Sequence, residues 1–359
     1  MPLTRPRFIG DIGLRAFVSL YKKAKQLIQS EAIDFLYIPI PSFYCALLGR
    51  WLNKTTGIKY GIDYIDPWVH QFPGSHKLLS RHWLSTKLAK FLEPIAVKNA
   101  SLITGVAEGY YKEVIERNPH LLGQAVFGAM PYGGEAEDHK AATKCLLKPY
   151  LFKRKPEKIQ LIYAGAMLPK AYEPLEQIFK AMQQHPAIFS AVEFYFIGTG
   201  KIPDDPESYN IKPLAVQYDL WQTIVYEYPQ RIPYLDVLAH LNIADGIFIL
   251  GSTEPHYTPS KLYQGVLSAK PILAVLHKQS TAVNILKDSQ AGLVLDFNGE
   301  AELVSIQDQF TATMINFKTF INNYDPFKIN HQLFETYSAK NVTKQLSELL
   351  NLIFEKQAV

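Results

Sequence analysis

The chain has 359 residues, of which 48% are apolar and 19% charged, with a formal net charge of +4. That length exceeds one doubly wound core and suits two, and the apolar share excludes a disordered chain. The charge is too small to argue for a nucleic-acid partner, and the two cysteines, Cys45 and Cys145, stand outside any C-x-x-C pair, which argues against a disulfide framework or structural zinc.

No stretch approaches ~18 uninterrupted apolar residues, so no membrane-spanning helix is expected. Arg5, Arg7, Asp11, Arg15, Lys22, Lys23 and Lys25 interrupt the start of the chain, so no secretory signal is expected either. A reduced, cytoplasmic setting follows as an expectation. Residues 12–29 read as a basic amphipathic helix, with Phe17, Leu20, Ala24 and Leu27 forming an apolar stripe beside Lys22, Lys23 and Lys25. Two roles fit it: a surface helix packed on a sheet, or a peripheral contact with the anionic inner face of a membrane.

A strand is expected at 35–40, a helix at 43–52, a turn at 53–57 and a second strand at 60–65, which together make a βαβ-like unit. The second strand ends in Asp66-Pro67-Trp68-Val69-His70. A loop at 71–82, a helix at 83–98, a strand at 101–106 and a helix at 108–117 follow. Residues 126–130 lead into the turn-rich Pro131-Tyr132-Gly133-Gly134-Glu135. The charged segment 136–157, with Pro149 and Pro156, reads as the boundary between an N-terminal domain (1–150) and a C-terminal domain (151–330).

The second half alternates more regularly. Strands are expected at 159–164, 192–197, 223–226, 246–250, 272–276 and 292–295, with helices at 172–184, 234–241, 260–269 and 281–288. That alternation is the signature of a parallel, doubly wound sheet. Two further helical patterns cover 300–323 and 331–355, the latter with Phe334, Tyr337, Val342, Leu346, Leu349 and Phe354 on one face.

The chemistry concentrates in 247–275. An apolar strand, Ile247-Phe248-Ile249-Leu250, runs into a loop carrying Glu254, Tyr257, Thr258 and Ser260, and Lys261 then opens a helix that carries Gln264. Open parallel sheets bind ligands at the carboxyl ends of their strands, and a helix starting there turns its free N–H groups toward the same crevice. With a hydroxyl and a cation added, the arrangement suggests capture of a phosphate or diphosphate. Glu254 has the chemistry to accept hydrogen bonds from sugar hydroxyls, and Gln264 to bond a ribose. Gly165, at the end of the strand at 159–164, lets a ligand approach the backbone, with Lys170 in reach of a diphosphate. Asp66 and His70 end a first-half strand, where an acid and an imidazole can orient or deprotonate a hydroxyl. Each of these residues also has a plain structural role, as a turn cap, a solvated loop residue or an exposed helix residue. Gly198-Thr199-Gly200 lacks the rest of a dinucleotide fingerprint. No metal-ligand spacing, Asp-x-Asp triplet, phosphate loop or G-x-S-x-G elbow occurs.

YAGAMLPKAYEPL, FYFIGTG, RIPYLDVLAHLNIADGIFIL and YTPSKLYQGVLSAKPILAV, in that order, resemble GT-B fold glycosyltransferases of family four, the glycogen-synthase-like group. GIDYIDPWV, ASLITGVAEGYYKEV and MPYGGE extend the resemblance through the first half. It implies an α/β fold of two doubly wound, Rossmann-like domains. It also implies a nucleotide-diphosphosugar donor held mainly by the C-terminal domain and a glycan or lipid-linked acceptor on the N-terminal one. Transfer is hexosyl transfer, retaining and metal-independent, so no resident cofactor is implied.

Position by position, the resemblance implies that Gly165 approaches the donor phosphates and that Lys261 with Ser260 holds the diphosphate. Lys170 falls near a second basic residue, Glu254 matches the acid on the donor sugar, and Gln264 stands where a glutamate usually binds ribose. Tyr257 and Thr258 belong to the same donor loop, while Asp66, His70 and Glu254 are the catalytic candidates. The last helix, within 331–359, would cross back to the first domain. This chain departs from the pattern in three places: Gln264 is an amide, Ala166 and Met167 replace the usual basic residue after the glycine, and no strand or Gly-rich loop precedes Phe35. The N-terminal domain therefore reads as lacking its first βα units. The resulting expectation is a glycosyltransferase of polysaccharide or glycolipid synthesis. The rivals are a non-catalytic glycosyltransferase-like subunit or truncated relative, and a sugar-nucleotide epimerase of the same architecture.

Overall fold

A computed structural model describes residues 12–40, 42–69 and 76–355, with the side chains described from Ala16 onward; His70 lies outside the described residues. The chain divides into two compact units. One runs to Pro131 and resumes at Val342, and the other is Tyr132–Asn341. Among the described residues no helix is long and apolar enough to cross a membrane.

The first unit runs α1 (Ile12–Ser30), β1 (Phe35–Ile40), α2 (Ala46–Thr56), β2 (Lys59–Tyr64), α3 (Arg81–Val97), β3 (Leu102–Gly105), α4 (Glu108–Arg117) and β4 (Val126–Ala129). Its sheet has the order β1-β2-β3-β4 and is parallel throughout. β4 is absent from the sequence-based expectation because its four residues merge with the turn-rich segment after them. Gly49 on α2 lies against the Tyr60 ring and Ile38, where a side chain would collide, so the helix approaches the sheet closely. α1 packs on α2 rather than on a sheet: Phe17, Tyr21, Ala24 and Ile28 cover Leu48, Leu52 and Ile58.

Buried polar groups hold this unit in register. Glu93 on α3 is fully buried, and Arg117 grips it with Nε to Oε1 at 2.8 Å and Nη2 to Oε2 at 3.0 Å. Burial pushes the Glu93 carboxyl above its ordinary range, against the pull of the guanidinium. On β2, Asp63 accepts from Thr104 Oγ1 at 2.7 Å, and Tyr37 Oη donates in turn to that hydroxyl at 3.1 Å.

The second unit continues with α5 (Ala136–Lys144), β5 (Ile159–Ala164), α6 (Tyr172–Gln184), α7 (Pro186–Phe189), β6 (Val192–Ile197), α8 (Lys212–Gln217), β7 (Val225–Tyr228) and α9 (Tyr234–Ile243). β8 (Gly246–Leu250), α10 (Lys261–Leu267), β9 (Ile272–His277), α11 (Thr281–Ser289), β10 (Gly292–Phe297), α12 (Leu303–Asn322) and α13 (His331–Phe334) complete it. α14 (Ala339–Glu355) then returns the chain to the first unit, where Leu346, Leu349, Leu350 and Ile353 lie over Leu102 and Val126. The helical pattern at 331–355 is thus two helices, separated at Ser338, which takes an extended conformation.

The second sheet has the order β10-β9-β8-β5-β6-β7, parallel throughout. One face packs on α6 and α12 through Leu175, Ile178, Phe179, Phe310 and Met314. The other packs on α9, α10 and α11 through Leu238, Leu241, Leu262, Val266 and Leu286. The unit boundary falls after Pro131 rather than near 150, because the charged segment 136–157 contains a helix. α5 buries Ala142 in the core shared with Leu238 and Leu241, and Asp138 accepts from Tyr234 Oη at 2.9 Å.

The Glu93–Arg117 pair yields a stability test. Arg117→Met leaves a fully buried carboxylate without its cation and is expected to cost about 3 kcal/mol at neutral pH. The folded-state pKa of Glu93 lies above its unfolded value, so the folded variant takes up the proton first as pH falls. The deficit should therefore shrink toward pH 5, and Glu93→Gln combined with Arg117→Met should recover most of it. Urea unfolding at both pH values measures this; equal deficits would refute it.

Candidate functional site

β5 pairs with β6 on one side and β8 on the other, so the order of crossovers reverses between β5 and β8. Open α/β sheets bind ligands at such a switch point, outside the carboxyl ends of the strands. The chain leaves β5 through Gly165, whose N–H donates to the Ile197 carbonyl at 2.8 Å. Gly165 sits at φ +122, and a Cβ there would lie 3.4 Å from Lys261 Cε. The backbone conformation calls for a glycine here, and the Lys261 side chain passes in van der Waals contact with it.

Lys261 opens α10 and crosses to β5. Its Nζ donates to Tyr163 Oη at 2.8 Å and lies 4.0 Å from that ring's centroid. Tyr163 is itself fully buried and donates to the Ala166 carbonyl at 2.9 Å. Among the described residues, no carboxylate stands within ion-pair distance of Lys261. The side chain as a whole is half-buried, but its ammonium end is stripped of water, and that desolvation alone lowers its pKa to about 7. The helix behind it is shorter than expected: it ends at Leu267, and Ala269 takes φ 56. Ser260 is exposed and makes no capping hydrogen bond. The local positive charge thus rests more on Lys261 than on a helix dipole.

Lys170 and Glu254 come together at 3.8 Å, and the Thr253 N–H donates to the Lys170 carbonyl at 3.2 Å. The loop after β5 and the loop after β8 are thereby tied. The far end of the β8 loop is pinned to the start of α11. Thr258 is buried with its Oγ1 2.7 Å from Thr281 Oγ1, and Ser280 Oγ donates to the Tyr257 carbonyl at 2.7 Å. The Thr258 hydroxyl is therefore engaged within the fold.

Gln264 is held by a residue that the sequence did not single out. His139 on α5 lies with Nε2 2.8 Å from Gln264 Oε1, so the imidazole carries its proton on Nε2. The other nitrogen, Nδ1, is buried without a partner, and burial lowers the His139 pKa, which keeps the ring neutral. The Gln264 carbonyl is occupied and its amide NH2 remains as a donor. Nothing in the sequence pointed to His139, because α5 reads as charged linker. Glu227 was also missed: it accepts from the N–H groups of Asn210, Ile211 and Lys212 and from Thr199 Oγ1, which anchors the Gly198-Thr199-Gly200 turn. Beside it, a cavity of about 540 Å³ at the β7 edge is lined by Tyr209, Trp221, Tyr228 and Arg231 and by none of the expected site residues.

Asp66 belongs to the first unit, exposed just beyond β2, while the nearby Trp68 is buried and stacks on Phe43 at 6.1 Å. The structure thus gathers Gly165, Lys170, Glu254, Lys261 and Gln264 at one switch point of the second unit, and places Asp66 in the other unit.

No protein-family profile matches the chain, and no curated protein matches it. Solved structures do. A glycosyltransferase from Rickettsia africae is 15% identical, with a TM-score of 0.61 over 99% of this chain and 84% of that one. A UDP-forming α,α-trehalose-phosphate synthase from Burkholderia xenovorans is 14% identical, with a TM-score of 0.65 over 94% of this chain and 78% of that one. HepE from Anabaena, in complex with UDP-glucose, is 14% identical, with a TM-score of 0.54 over 94% and 84%. The chain has the same fold as these proteins, the two-sheet α/β architecture of GT-B glycosyltransferases.

Lys261 should titrate near pH 7 in the free protein. Competitive acylation followed by mass spectrometry should give it a midpoint well below that of the surface lysines, and an ordinary midpoint would contradict the geometry. The folded-state pKa lies below the unfolded one, so the unfolded chain holds the extra proton between the two values. Stability relative to Lys261→Met should therefore rise as pH climbs from about 7.

Proposed function

We propose that the chain is a glycosyltransferase of the family-four type, moving a hexosyl group from a nucleoside-diphosphosugar to a glycan or lipid-linked acceptor, with retention and without a metal ion. The observation that carries this reading is the Lys261 ammonium at the switch point, beside Gly165 and free of any carboxylate among the described residues. An entering diphosphate recharges that amine and gains a charge-assisted hydrogen bond in a poorly solvated place. The same cation then stabilises the charge that develops on the departing nucleoside diphosphate.

In this reading the Gly165 backbone lies along the phosphates and the exposed Ser260 hydroxyl adds a donor. Lys170 and Glu254, already paired, turn toward the phosphate and the sugar hydroxyls respectively, with Tyr257 in the same loop. Gln264 offers its NH2 to a ribose oxygen while His139 holds its carbonyl. Asp66 and His70 are the acceptor-side candidates, with Asp66 or His70 taking the acceptor proton. The setting that suits such a reaction is the cytoplasmic side of a membrane, in polysaccharide or glycolipid synthesis. UDP-glucose in the HepE complex and the UDP-forming trehalose-phosphate synthase make a uridine donor the first to try. A second reading, a nucleotide-binding subunit without catalysis, is favoured by one observation: an amide with an occupied carbonyl, rather than a carboxylate, stands at Gln264.

Calorimetric titration with UDP, GDP and ADP tests the reading. One nucleotide should bind saturably, and Lys261→Ala should weaken it by about tenfold to a hundredfold, the worth of one hydrogen bond to a charged group. Above pH 7, binding should take up a proton, seen as a dependence on the buffer's ionisation heat. His139→Ala should weaken nucleotide about fivefold while leaving inorganic pyrophosphate unaffected, because it acts on Gln264 alone. A folded chain that binds none of the three overturns the proposal. A chain that binds but neither transfers nor hydrolyses the sugar is the binding subunit.

A further inference from the structure

A second helix besides α1 carries the features of a membrane contact. α1 packs Phe17, Tyr21, Ala24 and Ile28 against α2, while Leu20 and Leu27 of its expected stripe stay 41% and 37% exposed. α3 leaves a comparable stripe uncovered. Leu84, Leu88, Phe91 and Ile95 recur every three or four residues and so share one face. Leu84 is 37% exposed, Phe91 67% and Ile95 39%, while Ala89, Glu93, Ala96 and Val97 occupy the buried face. Leu78 and Leu79, at the turn leading into the helix, are 74% and 71% exposed, and Leu79 holds the left-handed φ of 61 that a leucine seldom adopts. Soluble surfaces carry single apolar residues freely, but a run of this kind on one short segment marks a docking surface.

The charge around the stripe identifies what docks. Lys77, Arg81, Lys87, Lys90 and Lys98 are all exposed on this segment. Its one acid between His76 and Asn99 is Glu93, which is buried and bound to Arg117. Trp83 is half-buried, with Lys87 Nζ 5.7 Å from its ring centroid. Apolar side chains flanked by lysine and arginine, without an exposed carboxylate, match a surface that offers hydrocarbon beneath a layer of phosphate. We propose that α3 and the turn before it dock the protein on an anionic lipid bilayer, with Leu84, Phe91 and Ile95 entering the headgroup boundary and the five cations meeting lipid phosphates. This inference does not rest on the donor-binding reading of the second unit.

Co-flotation of the full chain with vesicles tests it. The chain should float with phosphatidylcholine–phosphatidylglycerol vesicles, stay behind with phosphatidylcholine alone, and be released by salt. Two α3 variants, Lys87→Glu with Lys90→Glu and Leu84→Ser with Phe91→Ser, should each bind about tenfold more weakly. The α1 variant Lys22→Glu with Lys25→Glu should bind as wild type. These side chains are exposed apart from the half-buried Lys25, and circular dichroism confirms that each variant is folded; the charge variant decides the matter if the serine variant is not. The proposal is overturned if anionic vesicles do not bind, if neutral vesicles bind equally, or if only the α1 variant loses binding. It is also overturned if wild type is a dimer that fails to float and that Phe91→Ser converts to monomer.

Discussion

The double pairing of β5 is the constraint on which the second unit depends. Because β5 hydrogen-bonds to β6 and to β8, the loops that follow β5 and β8 leave the sheet next to each other while their crossovers diverge. A gap between loops is therefore built into the topology, and the residues bordering it are fixed by chain order: Gly165 to Lys170 on one side, Gly251 to Lys261 on the other. Everything the site holds follows from that adjacency. Lys261 can reach Tyr163 because the first turn of α10 starts beside the end of β5. Lys170 can reach Glu254 because the two loops run side by side.

Much of this was legible in the sequence, for a physical reason. Parallel strands buried on both faces read as continuous apolar runs, and Ile247-Phe248-Ile249-Leu250 or Ile272-Leu273-Ala274-Val275 leave little else to be. A cation placed just after such a strand, at the head of a helix, lands at the carboxyl end of the sheet whatever the details. What the sequence could not convey is partnership. Tyr163 reads as one more aromatic in a strand, yet it is the group against which Lys261 rests. His139 lies in a segment whose charge pattern resembles a linker, and only the fold of α5 onto α9 brings it to Gln264. Local charge sets helix propensity, but it carries no information on which distant amide a side chain will meet.

The acids make the same point from the other side. Asp63 is half-buried and Glu93 and Glu227 are buried, and they are satisfied by hydroxyl, guanidinium and backbone N–H groups respectively. Asp66 is exposed three residues beyond Asp63. In sequence these are all carboxylates near strands or helices, and the alternation of a strand separates Asp63 from Asp66 only once its end is known. β2 ends at Tyr64, one residue earlier than the apolar pattern suggests, so Asp66 falls in the turn. Asp66 is exposed and Glu254 is partly open, so their oxygens are nearer to solvent than those of Glu93 or Glu227.

The two lysines of the site differ in the same way, and the difference ranks them. Lys170 already shares its charge with Glu254, so an anion that recruits it competes with a carboxylate. Among the described residues Lys261 has a neutral phenol and the face of its ring as partners, and desolvation leaves the ammonium near the edge of losing its proton. An anion arriving at Lys261 displaces no ion pair and restores the charge that burial had disfavoured. The gain on binding is therefore larger at Lys261 than at Lys170 for the same anion. In the proposed reading the diphosphate is anchored at Lys261 first, and Lys170 contributes by shifting between Glu254 and the phosphate. Tyr163 holds that amine in place without neutralising it.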